Sequence, residues 1–163
     1  MEIRKASRDD LAAIMEIYHH AQDMMIATGN ASQWGHSYPT EDIIKADIDS
    51  GCCHVICEND EVHAVFAIIT GGEPDYDVIE NGSWLNDNPY IAVHRVASDG
   101  KMHGIVAKII DHCKGLSSDI RIDTHHDNKI MQGQIERNGF VKCGVIYVRD
   151  GSPRIAYHWN VGR

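Results

Sequence analysis

Basic residues are scarce in this chain. Lys and Arg number 15 against 24 Asp and Glu, a formal charge of -9. A general binder of nucleic acid or anionic membrane needs a basic surface to displace counterions, so neither partner is expected. An anionic ligand would have to be held by backbone amides or a helix N-terminus instead. No apolar run approaches the ~20 residues of a membrane span. Met1-Glu2-Ile3-Arg4-Lys5 lacks the apolar stretch of a signal peptide, and a cytoplasmic location is the expectation. No CxxC pair occurs. The five cysteines are an odd count, with Cys52 and Cys53 adjacent, which argues for reduced, mostly buried thiols rather than a disulfide or zinc framework. Repeats, low-complexity tracts and linkers are also lacking, so residues 1–163 are expected to form a single domain. Hydrophobic residues make up 43 %, enough to fill its core.

The patterned segments follow one another closely. Ile3 opens a short strand. Ser7 and Asp9 supply N-cap chemistry for a helix with Leu11, Ile14, Met15, Tyr18 and Met25 on one face and Gly29 as its stop. A second helix begins at Thr40 with Glu41 and Asp42 in its first turn, buries Ile44 and Ile48, and ends at Gly51. Residues 52–58 and 61–70 read as a hairpin about Asn59-Asp60, its second strand buried on both faces. The connection from Gly71 to Pro89 is rich in Gly, Asn, Asp and Pro, and loops of such length usually have a function.

Tyr90–Ala97 is the next strand. A helix follows with Met102, Ile105, Val106, Ile109, Ile110 and Cys113 at helical spacing. Ile120, Ile122 and Thr124 alternate as a strand. Asp127 or Asn128 then caps a helix that carries Ile130, Met131 and Ile135 and stops at Gly139. Val141–Val148 and Arg154–Trp159 form a final hairpin. The order is β-α-α-β-β-β-α-β-α-β-β.

Two segments carry chemistry. One runs Ile91-Ala92-Val93-His94-Arg95-Val96-Ala97-Ser98-Asp99-Gly100-Lys101-Met102-His103-Gly104-Ile105-Val106, a strand, a glycine-bearing loop and an apolar helix. The other runs from Asp123-Thr124-His125-His126-Asp127-Asn128 to Asn138-Gly139-Phe140. Together, and with the element order, they resemble the GCN5-related N-acetyltransferase (GNAT) family over nearly the whole chain. The resemblance implies an α/β (α+β) fold with a mixed central sheet of about six or seven strands flanked by about four helices. The family's acyl-CoA loop, Gln/Arg-x-x-Gly-x-Gly/Ala, falls on Lys101, Met102, His103, Gly104, Ile105 and Val106. Successive backbone N–H groups in such a loop cradle a diphosphate without side-chain charge. Lys101 departs from the pattern, as do Met102 and Val106, while Gly104 keeps it. Asn128 matches the helix-opening Asn that contacts acyl-CoA, and is equally well placed to be a plain helix cap.

The resemblance further implies acetyl transfer from acetyl-CoA, as co-substrate, to a primary amine of a small molecule or peptide by direct attack. The fourth and fifth strands are expected to splay and admit the pantetheine arm. Val96 and its neighbours would pair with that arm, and a backbone N–H there would polarise the thioester carbonyl. His94 and His125 are the two candidates for the base that the attacking amine needs. The tyrosine that many members place seven positions past the Asn is Ile135 here, with Cys143, Tyr147 or water as substitutes for that acid. Loops bearing Trp34, Gly35, His36 and Tyr38, or Arg149, Asp150 and Arg154, are expected to receive the acceptor, with Trp84 and Tyr90 flanking the long connection. No metal is expected. The pairs His19-His20 and His125-His126 lack zinc-site spacing, and adjacent histidines on a strand point opposite ways. The competing readings are a catalytically weak or inactive acyl-CoA-binding protein, and a cysteine hydrolase built on Cys143 or Cys113. Folds of this size often dimerise, so a homodimer stands as an expectation with no interface marked in the sequence.

Overall fold

The computed structural model describes residues 1–162. Its strands are β1 (Glu2–Lys5), β2 (Cys53–Glu58), β3 (Glu61–Ile69), β4 (Ile91–Ser98), β5 (Asp119–Thr124), β6 (Val141–Tyr147) and β7 (Pro153–Asn160). Its helices are α1 (Leu11–Ala27), α2 (Glu41–Ser50), α3 (Ile105–Lys114) and α4 (Lys129–Arg137). The strands follow the order β1-β2-β3-β4-β5-β7-β6 in a mixed sheet, parallel at β4/β5 and antiparallel at β1/β2, β2/β3, β5/β7 and β6/β7. This is the fold class that the resemblance implies, with the element order read from the sequence pattern. Two short 3-10 turns, Arg8–Asp10 and Pro74–Tyr76, were not legible in it.

Contacts divide the chain into two compact units, and β4 passes from one to the other. The first comprises Met1–Ile68 and Arg95–Ile105. Alternation in β2 turns Cys53, Val55 and Cys57 to one face, where Ile14, Ile17 and Tyr18 of α1 and Ile44 and Ile48 of α2 complete a core with Val65 and Ala97. Thr40 caps α2 by accepting from the Ile43 amide, and Gly51 ends the helix at φ 80°, the left-handed conformation that glycine adopts without cost. In β3, residues 63–68 are all buried, as their unbroken apolar run requires.

The second unit comprises Ile69–His94 and the chain from Val106 onward. Its core on one sheet face contains Tyr76, Ala92, Ile146 and Ala156, with Trp84 and Tyr90 packed against them. The long connection is therefore folded down, not free. Glu80 bridges to Val145 and covers the edge strand β6. Gly82 is obligatory in that approach, since a Cβ there would lie 1.8 Å from the Cys143 carbonyl oxygen. Expected to be helical, Met102 instead lies in the loop, because α3 begins at Ile105.

Candidate active site

His94 lies in the second unit, half-buried on β4. Its Nε2 is 2.9 Å from Glu73 Oε2. A carboxylate only accepts, so Nε2 carries the proton and donates it; the Nδ1 lone pair is then the basic site. Nδ1 lies 3.9 Å from Asp123 Oδ2, beyond hydrogen-bond reach. Asp123 Oδ2 accepts from the Tyr76 hydroxyl at 2.6 Å, and the Tyr76 ring meets the His94 ring edge-on at 5.8 Å. Burial raises the Tyr76 phenol well above its usual range, with Asp123 adding to the shift, so it stays protonated as a donor. Glu73 is itself placed by the long connection: its amide donates to the Tyr90 hydroxyl at 2.9 Å. Desolvation, then the charges of Glu73 and Asp123, raise the Asp75 carboxyl.

His125 has a different environment. It is 5 % exposed, and its Nδ1 accepts from the Asp127 amide at 3.0 Å. The neutral ring therefore carries its proton on Nε2 and has no free lone pair. Burial lowers its pKa, helped by Arg154 and His126, so this neutral form prevails near pH 7. As placed, His125 is a donor rather than a base. The expectation that His125 and His126 diverge on a strand also fails. Both lie past the end of β5, in a turn that stacks their rings 4.2 Å apart. With Asp127 they form the one His/Cys/Asp/Glu cluster of metal-ligand spacing among the described residues.

The loop ahead of α3 is anchored by Asp99, in the first unit. The Asp99 amide donates to the His63 carbonyl at 3.0 Å, its Oδ2 meets His63 Nδ1 at 2.7 Å, and its Oδ1 accepts from the Lys101 amide at 2.9 Å. Burial raises the Asp99 carboxyl, but the Lys101 amide and His63 outweigh it, and its pKa falls below the usual range. Lys101 thus has its amide occupied, and its ammonium lies 3.4 Å from Glu61. The amides of Met102, His103 and Gly104 make no hydrogen bond to described residues, and Gly104 has φ 70°. Val106 lies in the first turn of α3. Asn128 is the N-cap of α4, accepting from the Met131 amide at 3.1 Å.

Val96 follows a residue of unusual backbone. Arg95 has φ 53°, the left-handed region, in the middle of a strand, at a cost of about 1–2 kcal/mol for a side chain with a Cβ. Its carbonyl accepts from the Tyr18 hydroxyl at 2.7 Å. Its guanidinium grips both Asp47 oxygens at 2.8 and 2.9 Å and donates to the Tyr38 hydroxyl at 3.1 Å. β4 and β5 are registered only at Ile91–Ile120 and Ala92–Arg121, so parallel pairing ends before this kink.

Several of the loop aromatics are packed into the fold. Trp34 is 8 % exposed and meets Tyr18 edge-on at 5.8 Å. Trp84 and Tyr90 sandwich the Arg121 guanidinium at 4.2 and 4.0 Å. His36 instead borders a surface depression of about 360 Å³, together with Met15, His19, Gln22, Ser37 and Pro39. Ile135 is fully buried. Of the suggested substitutes for its missing phenol, Tyr147 donates to Glu80 at 3.0 Å and Cys143 lies 3.3 Å from the Val141 carbonyl.

No family model and no curated protein matches this sequence. Solved structures do. A GNAT-family acetyltransferase from Streptococcus agalactiae is 30 % identical, with 98 % of this chain and 94 % of that one covered at a TM-score of 0.88. One from Listeria monocytogenes is 18 % identical at a TM-score of 0.72, over 98 % and 94 % of the two chains. The Salmonella typhimurium protein yncA, solved with its cofactor acetyl-CoA, is 17 % identical at a TM-score of 0.62, over 98 % and 93 %.

Proposed function

The chain belongs to the GCN5-related N-acetyltransferase family, and from that membership we propose that it moves an acetyl group from acetyl-CoA to a primary amine by direct attack. The acceptor is a small molecule or a peptide amine, and the net charge of -9 favours a cationic one through steering. The observation that carries the reading is the state of His94. Glu73 fixes its proton on Nε2 and leaves Nδ1 as a half-buried base.

A lysine-like ammonium has a pKa of ~10.4 and must lose a proton before it can attack. In this mechanism His94 Nδ1 takes it, directly or through one water, and Glu73 stabilises the imidazolium that forms. The amine nitrogen bonds to the thioester carbon, and the Val96 amide supports the negative charge that develops on oxygen. Collapse breaks the C–S bond. With Ile135 buried at the usual acid position, CoA departs as a thiolate, which its ordinary thiol pKa of ~8.5 permits, and the second proton of the amine nitrogen, acidic once the N–C bond has formed, passes through water to that thiolate. The amides of Met102, His103 and Gly104 bind the diphosphate at the positive end of α3.

Thiol release from acetyl-CoA across a panel of amines tests the proposal. Release that depends on one class of acceptor supports it. Calorimetric binding of CoA without release for any amine would leave only the acyl-CoA-binding function, and no binding would remove both. The Asp99 anchor gives a finer prediction. Asp99→Ala removes the side-chain bonds to the His63 ring and to the Lys101 amide, and leaves the backbone bond to His63 in place. Its KM for acetyl-CoA is expected to rise about tenfold, the equivalent of one charge-assisted hydrogen bond. Its KM for S-acetylpantetheine, which lacks the diphosphate, should stay within a factor of two.

A further inference from the structure

Arg95 is held through both its carbonyl and its side chain by groups from other elements. Tyr18, fully buried on α1, donates its hydroxyl to the Arg95 carbonyl at 2.7 Å. Burial keeps that phenol protonated far above neutral pH, so it is a permanent donor. The Arg95 side chain is pinned by both oxygens of Asp47, itself 8 % exposed on α2, and by the Tyr38 hydroxyl. A trans peptide points its C=O and N–H in opposite directions. Fixing the Arg95 carbonyl against Tyr18 therefore fixes the aim of the Val96 N–H, and the left-handed φ of 53° turns that peptide out of the regular strand orientation. A strained conformation persists only where its surroundings over-determine it, and such residues cluster at functional sites. Here the anchors come from α1, α2 and the segment that carries Tyr38.

Resting on the acetyl-transfer reading above, we infer that Tyr18 and the Arg95–Asp47–Tyr38 clamp are positioning residues, which aim the Val96 amide at the thioester carbonyl. Tyr38 extends the linkage. Its carbonyl accepts from Gln22 Nε2 at 2.9 Å, and Gln22 lines the depression shared with His36 and Pro39. An acceptor seated against that segment bears on Tyr38, and through it on Arg95. Substrate binding and aim of the oxyanion donor are thus coupled in the same few side chains.

The test uses the full chain and acetyl-CoA labelled with 13C at the acetyl carbonyl. In the wild-type complex the bound carbonyl resonance is displaced from its free position by the hydrogen bond. In Tyr18→Phe that displacement should shrink and kcat fall about 10- to 100-fold, a misaimed rather than deleted oxyanion donor, while KM for acetyl-CoA stays within twofold. A second pair of variants removes the clamp without touching Tyr18. Arg95→Gly accepts a positive φ and Arg95→Ala resists it, so the glycine variant should retain at least fivefold more kcat than the alanine one. Loss of charge or packing alone predicts equality, or the reverse order. An unchanged resonance and kcat in Tyr18→Phe, or Arg95→Ala equal to Arg95→Gly, overturns the inference while leaving acetyl transfer intact. A wild-type protein that binds no labelled acetyl-CoA overturns both.

Discussion

His94→Gln is expected to lower kcat/KM for the acceptor amine by about 10²–10⁴-fold, the usual contribution of a positioned general base. CoA affinity should stay near that of the wild type, because the diphosphate is assigned to the amides of Met102, His103 and Gly104 and not to the His94 ring. The melting temperature should change little as well, since the ring is hydrogen-bonded to Glu73 at 2.9 Å and is only half-buried. Glu73→Gln keeps an acceptor for Nε2–H and removes the charge that stabilises the imidazolium, so a smaller loss of about 10- to 100-fold is expected. His125→Gln is the control. A ring whose lone pair is committed to the Asp127 amide takes no part in deprotonation, and kcat should stay within about threefold. Steady-state rates for the three proteins at saturating acetyl-CoA decide the matter. Full activity in His94→Gln with loss in His125→Gln would falsify the assignment.

His94 and His125 were equal candidates in the sequence because nothing local distinguishes them. Each sits at or just beyond a strand carrying an apolar alternation, and the discriminating partner of each is set by tertiary folding. Glu73 reaches His94 from 21 residues away, across a connection whose length alone marked it as functional. Asp123 was closer to legible. Ile120, Ile122 and Thr124 occupy one face of β5, so Arg121 and Asp123 must share the other, and a carboxylate at the end of a strand near a candidate base is a readable signal.

The order of elements, by contrast, rested on periodicity and on caps such as Thr40 and Gly51, which are local and therefore visible. The loop before α3 shows the limit of a motif. Lys101 was assigned to the ligand by position, but Asp99 two residues earlier folds back to take its amide in an Asx turn. Likewise, the left-handed φ of Arg95 has no signature, because glycine is what that conformation usually selects. An arginine stands there because its side chain supplies the clamp that a glycine could not.

Asp119→Ala should be the most destabilising single substitution in the second unit. Asp119 is 1 % exposed at the start of β5, and its two oxygens accept four bonds: from Asn86, His158 and Asn160 at 2.8, 2.8 and 3.0 Å, and from Asn88 at 3.2 Å. Burial alone would raise its carboxyl, but these donors outweigh it and its pKa is lowered, so it is ionised throughout the neutral range. Truncation strands the fully buried His158, whose Nδ1 already accepts from the Leu85 amide. Leaving buried donors that faced the carboxylate without an acceptor costs about 1–3 kcal/mol each, so a loss of about 3–5 kcal/mol is expected, and in a chain of this size each kcal/mol lowers Tm by about 2–4 °C. A fall of about 6–20 °C is therefore expected by thermal unfolding. Activity should fall with it, because Asn86 and Asn88 tether the connection that carries Glu73. His158, His125 and Asp119 together set the acid limb of stability. Burial lowers His158 despite Asp119, and burial lowers His125 too, so below their unfolded pKa of ~6.5 the unfolded chain binds more protons than the folded one. Wild-type Tm should decline as pH drops from about 6.5, and again below about 4 as Asp119 is protonated. Asp119→Ala should lose the second decline in part, and a variant as stable as the wild type at pH 7 would show that the four bonds hold nothing together.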